Sequence, residues 1–204
     1  VATIGSGSVA LLGATITTTF VGGSGSTDPA STDNTAYSTT AYPAAGTGSG
    51  TAGVRFNVST VGLSGIIVNW DEYHSNTGTR YSRFEYTING STFITTGLAD
   101  GGVIDTNLGA TWFNARTMDL RGISGVDNNA NFGFRFVAIF APSTSAYAAA
   151  NPTSAYGTSG TMRFDMVTVN GTSAPTGYVT NSTDCNDGSS SVKPTATEIC
   201  DGVD

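Results

Sequence analysis

Between Phe132 and Phe140 every second residue is apolar: Phe132, Phe134, Phe136, Ala138 and Phe140. Alternate residues of an extended chain point to opposite faces, so this stripe can be buried by a β-strand and by nothing helical. The same two-residue period recurs through much of the chain. Val54, Phe56 and Val58 alternate with Arg55, Asn57 and Ser59. Val68 and Trp70 share a face within the Ile66 to Tyr73 run, and Phe84, Tyr86 and Ile88 alternate with Arg83, Glu85 and Thr87. Met118 and Leu120 follow Trp112, and Met162, Phe164 and Met166 make the last stripe. Asn89-Gly90 and Asn170-Gly171 read as tight turns, the former leading into Thr92 to Thr95. No segment has a sustained helical period. The expected fold is therefore all-β, a sandwich of about eight short strands, with a jelly roll as its closest form.

The first third is organised differently. Val9 to Phe20 is a strand candidate bounded by glycine on both sides. Residues 22–53 are rich in Gly, Ser, Thr and Ala, with Pro29 and Pro43. So long a stretch without periodicity is unusual inside a compact domain. Residues 1–21 are accordingly expected to form an N-terminal strand on a low-complexity arm, 22–53. That arm would let residues 9–20 pair either in their own sandwich or, as a donated strand, in a neighbour's. The sandwich itself is assigned to 54–175, and an acidic tail to 176–204.

The tail, 184–204, holds both cysteines and five of the fifteen acids against a single cation, Lys193. Asp184 and Asp187 are three apart, as are Glu198, Asp201 and Asp204. Acids this dense repel one another unless a cation neutralises them. Hard oxygen donors without histidine point to Ca²⁺ rather than Zn²⁺ or copper. An EF-hand loop opening at Asp187 would place Glu198 correctly, but its positions 3, 5 and 6 fall on Ser189, Ser191 and Val192, which lack the acids and the glycine required. Cys185 and Cys200, with 14 residues between them, suit a disulfide in an oxidising compartment, worth about 3 kcal/mol in loop entropy. The alternative is pairing of Cys200 with a cysteine beyond Asp204.

The D-C-N-D opening at 184–187, the Val192 to Pro194 centre and the E-x-C-D-G-x-D close at 198–204 together resemble the MopE-type metal-binding repeats of bacterial surface proteins. Thr195 stands where such repeats have a glycine after the proline, and the chain stops where a third cysteine would follow. The resemblance implies a metal site and a surface location. The segments AGVRFNVST (52–60), Asp71 to Arg80 and GTMRFDMVTVNGT (160–172) also resemble jelly-roll domains of bacterial secreted and cell-surface proteins. That likeness covers most of 50–172 and implies a scaffold rather than an activity.

Composition narrows the function. A net charge of −7 and a pI near 4.4 leave nothing to neutralise phosphates, so nucleic acid is not an expected partner. No apolar run approaches the ~18 residues of a membrane span. A start at Val1 without methionine suits a processed, secreted protein. The one histidine, His74, lies near Asp71 and Glu72, so a Ser-His-Asp arrangement can be drawn, but no G-x-S-x-G supports it and His74 reads as a hydrogen-bonded strand-end residue. A non-enzyme is expected. Arg55, Arg83, Glu85, Arg135, Arg163 and Asp165 alternate with the apolar stripes. They read as a ladder of charge pairs on one sheet, or as a glycan-binding face with Tyr81 or Trp112 stacking on a sugar. The leading expectation is a secreted structural subunit that polymerises with Ca²⁺ at its joints. A carbohydrate-binding or adhesin module, and a passive spacer of a larger surface protein, are the alternatives.

Overall fold

The computed structural model describes residues 6–13, 15–29 and 34–173. It is all-β, apart from one short 3-10 turn at Ala99–Gly102. Ten strands follow in order: β1 Gly7–Leu12, β2 Ile16–Gly22, β3 Thr35–Thr40, β4 Gly53–Val58, β5 Leu63–His74, β6 Tyr81–Thr87, β7 Val103–Asp105, β8 Thr111–Asp119, β9 Gly133–Ala138 and β10 Met162–Ser173. They form two five-stranded antiparallel sheets, β1-β4-β9-β6-β7 (sheet A) and β2-β3-β10-β5-β8 (sheet B).

Without β1 and β2, sheet A reads β4-β9-β6-β7 and sheet B reads β3-β10-β5-β8. That is the strand order of a jelly roll, in which each strand faces its neighbour in sequence across the core. The packing agrees: Trp70 of β5 stacks on Phe84 of β6 at 6.1 Å, and Phe164 of β10 stacks on Phe136 of β9 at 4.8 Å. β1 and β2 extend the two sheets on the side where β4 and β3 would otherwise be the edges.

The alternation explains the core. Phe56, Phe84, Phe134 and Phe136 of sheet A meet Trp70 and Phe164 of sheet B, and all but the partly buried Phe56 are almost completely buried. Each buried aromatic ring contributes of the order of 2 kcal/mol or more through area removed from water. The rings stack or meet edge-on, Phe84 on Phe134 at 5.3 Å and Trp70 against Phe136 at 4.9 Å. Gly53 is required at the start of β4, since a Cβ there would overlap the Phe136 carbonyl oxygen.

Four sequence expectations change. Val9 to Phe20 is two strands, because the chain breaks at Gly13 (φ 66°) and enters a different sheet on each side of it. Both pair in their own sandwich, β1 with β4 and β2 with β3. The 22–53 segment is not a free arm: it contains β3, paired with both β2 and β10, and its Ala36, Ser38, Thr39 and Tyr42 are buried. After Asn89-Gly90 the chain returns as a single bridge, Tyr86 to Ile94, rather than a strand, because the Asn89 Oδ1 accepts from the backbone N–H of Ser91 and Thr92 and prolongs the turn. Asn170-Gly171 is no turn. β10 runs on through it with a register shift, and Gly171 admits Ile66 Cδ1 to 2.8 Å of where its Cβ would be.

Candidate functional site

Sheet A carries a charged row on its outer face. Antiparallel register places Arg55 opposite Arg135, and Arg135 opposite Glu85. Glu85 is only 3% exposed, and its two oxygens are divided between Arg83 Nε (2.7 Å) and Arg135 Nε (2.6 Å). Phe93 lies against both remaining guanidinium faces, 4.9 Å from Arg55 and 4.4 Å from Arg135. Arg55 also donates to the Gly90 carbonyl, which holds the loop after β6 onto the sheet. This is a charge ladder with an aromatic cover.

The ladder does not extend to Arg163 and Asp165, which sit on β10 in sheet B. The six charges therefore do not share one sheet, because the jelly-roll order places β10 between β3 and β5. Nor does either candidate aromatic stand free over the row. Tyr81 is covered by Arg80 at 5.1 Å, and Trp112 pairs with Tyr73 on sheet B at 5.6 Å.

On the outer face of sheet B, Asp71 and Asp165 are direct cross-strand partners and both are buried. The chain leaving β2 crosses above them. Ser26 Oγ donates to Asp165 Oδ2 at 2.7 Å, the Thr27 N–H and hydroxyl donate to Asp71 Oδ2, and the Ala115 N–H donates to Asp71 Oδ1 at 2.7 Å. Burial raises the Asp165 pKa above the usual carboxylate value, and the charges of Asp28 and Asp71 push the same way against hydrogen bonds from Ser26 and the Met166 N–H. The pair anchors the crossing segment. Among the described residues no three His, Cys, Asp or Glu side chains come together as a metal site.

His74 faces the interior, fully buried. Strand alternation turns Asp71 to the opposite face, so the two cannot form part of a triad. Nδ1 lies 2.6 Å from the Thr79 carbonyl and 2.8 Å from Thr106 Oγ1, while Nε2 has no hydrogen-bond partner. Burial holds the imidazole pKa below its ordinary value, outweighing the nearby Glu72 charge.

The two lateral sides of the sandwich differ. Between edge strands β7 and β8 is a cleft of about 430 Å³ floored by Trp70, Ile104 and Met118. Arg116 of β8 reaches across it, donating to the Asp105 carbonyl on β7 at 2.9 Å and pairing with buried Glu72 at 3.2 Å. Arg80–Asp105 and Arg121–Asp119 pairs flank it. On the other side, β1 and β2 are edges whose apolar residues are poorly covered. Val9 and Leu11 are 38% and 37% exposed, Ile16 56% and Phe20 63%. Val9 pairs with Phe56, Leu11 with Val54 and Phe20 with Tyr37, all partners that pack in the core. Directly opposed residues share a face, so Val9, Leu11 and Phe20 point inward at the open mouth between the sheets. The sequence marks these strands as apolar, but not that among the described residues nothing closes this mouth.

The proposed ligands Asp184, Asp187, Glu198, Asp201 and Asp204, and Cys185 with Cys200, lie outside the described residues. They belong to the chain that follows β10. No curated protein and no solved structure matches this chain. A family model does match its end: Cu-binding MopE, described as a "Putative metal-binding motif", over residues 184–204. The C-terminal segment of this β-sandwich protein, residues 184–204, thus matches the MopE-type motif.

Proposed function

We propose that the chain is a secreted, non-enzymatic structural subunit whose copies join into a calcium-stabilised extracellular filament or surface layer. The observation that carries this reading is the β1/β2 side, two sheet edges where Val9, Leu11 and Phe20 point inward yet stay exposed, with Ile16 exposed on the outer face of β2. Edges with neither charge nor proline recruit further strands. The C-terminal motif supports a metal at a second contact.

Its donor set favours Ca²⁺ over the copper of the family's name. Residues 184–204 offer five carboxylates but no histidine and no methionine, so Asp184, Asp187, Glu198, Asp201 and Asp204 would hold the ion through oxygen. Cys185 and Cys200 joined as a disulfide would close the segment and withhold thiolates from a soft metal. Bound calcium would neutralise the acids and stiffen the segment against the next subunit.

Thermal melts in calcium, in Cu²⁺ and in EDTA test the assignment. Calcium should raise the melting temperature of the native chain, and Asp184→Asn with Asp201→Asn should abolish that response. An unchanged response removes these two from the ligand set. Stabilisation by copper alone overturns calcium. Specific signals on a glycan array from a calcium-insensitive monomer would favour the carbohydrate-binding alternative, and an intact native mass far above that of this chain would favour the spacer.

A further inference from the structure

We infer that the β1/β2 side mates with the same side of a second copy, about a two-fold axis normal to the sheets. β1 then lies antiparallel to the second copy's β1, and β2 to its β2. This rests on the proposal that copies self-associate and specifies which surfaces meet.

Charge identifies the side. The chain has no charged residue before Asp28 and no proline before Pro29. β1 and β2 therefore lack every side chain with which soluble proteins usually guard a sheet edge. The opposite edges are guarded. β7 ends in Asp105, β8 carries Arg116 and Asp119, and Arg116 occupies the Asp105 carbonyl that an incoming strand would need.

The occupant follows from two edges being open at once. β1 closes sheet A and β2 closes sheet B on one side of one sandwich. A partner satisfying both must present two strands at the same sheet separation, which a second copy does by construction. Its inward-facing Val9, Leu11 and Phe20 would meet their equivalents and carry the apolar layer between the sheets through the contact. An uncharged segment meets itself without repulsion, although the whole chain carries −7.

Symmetry follows from strand direction. Each sheet has five strands, every neighbouring pair antiparallel, so β1 and β7 run the same way, as do β2 and β8. Stacking by translation would set β1 beside β7 in the less stable parallel sense, and against the charged edge. A two-fold gives antiparallel pairs on both sheets. Such a contact is closed and yields a dimer. Growth into a filament then needs a second contact, the role proposed for the C-terminal motif.

Sedimentation velocity of the full chain tests this, in EDTA and in calcium. The native chain should be dimeric in EDTA. Leu11→Lys and Phe20→Lys each bring an unpaired charge to the contact and should weaken the dimer about a hundredfold or more. Thr111→Lys, exposed on the opposite edge, should leave it intact. Circular dichroism melts show that each variant is folded, which Phe20→Lys should be because that side chain is 63% exposed. A monomeric native chain in EDTA, dimers that survive both lysines, or dissociation by Thr111→Lys would each overturn the pairing. Dimers that grow no further in calcium would support the pairing and remove the filament. Calcium filaments formed by both lysine variants would overturn the pairing and keep the filament.

Discussion

His74 makes the stability of this sandwich depend on pH in a way that can be isolated, because it is the only histidine in the chain. The ring is fully buried, its Nδ1–H donates to the Thr79 carbonyl, and Nε2 faces no acceptor. Burial makes a charged ring costly here, more than the nearby Glu72 carboxylate offsets, and a second N–H would lack a partner, so the folded-state pKa lies below the ordinary 6.5. A base with a depressed folded pKa contributes stability above its unfolded value, and that contribution is lost as pH falls and the unfolded chain takes up the proton. With protonation of the folded imidazole disfavoured, the loss between about pH 7.5 and 5.5 is on the order of 1 kcal/mol. Urea unfolding followed by the fluorescence of Trp70 and Trp112 should show it as a fall in midpoint of about 0.5 M, for an m-value near 2 kcal/mol/M. His74→Asn keeps a donor near the Nδ1 position and removes the titration. It should be less stable at every pH because ring volume is lost, but the difference between variant and native chain should shrink by that same amount as pH falls. Taking the difference cancels the carboxylates, which titrate alike in both chains. A constant difference across this range would refute a buried neutral histidine.

Two further substitutions test the charged faces. Asp165→Asn should stabilise the protein at neutral pH: ionisation of this desolvated carboxyl, with Asp28 and Asp71 nearby, costs stability as pH rises, so the advantage should disappear near pH 3.8. Urea midpoints at several pH values check this, and a pH-independent difference would contradict it. Glu85→Gln should cost about 2–3 kcal/mol, less than a fully buried pair because Arg83 and Arg135 are partly exposed, and added salt should recover part of the loss. No loss in midpoint would mean that the ladder adds nothing to stability.

How well the sequence foretold the fold depended on what each strand buries. β4, β6, β9 and β10 bury aromatic or branched side chains on one face, and their alternation is plain. β3 turns Ala36, Ser38 and Thr39 into tightly covered positions, with Thr39 Oγ1 bonded to Tyr42 Oη at 2.6 Å. Small and hydroxylated residues satisfied in this way look the same as loop composition, so the strand reads as part of an arm. β7 has only three residues and leaves too short a pattern to see. The charged outer faces were visible as alternation, but which charges share a sheet depends on strand order, which no local pattern encodes. The loop of 23–28 over Asp71 and Asp165 was equally hidden, since it joins positions 44 and 139 residues apart. The C-terminal motif is the reverse case: its residue spacing identifies it without any fold, and the family match falls on the same residues, 184–204.

The central claim is self-assembly held by a metal, and electron microscopy of the purified full chain tests it most directly. Negatively stained samples in calcium, and again after EDTA, should show filaments or sheets that disperse to particles of dimer size on chelation. Monodisperse particles of the same size in both conditions would contradict a calcium-jointed polymer.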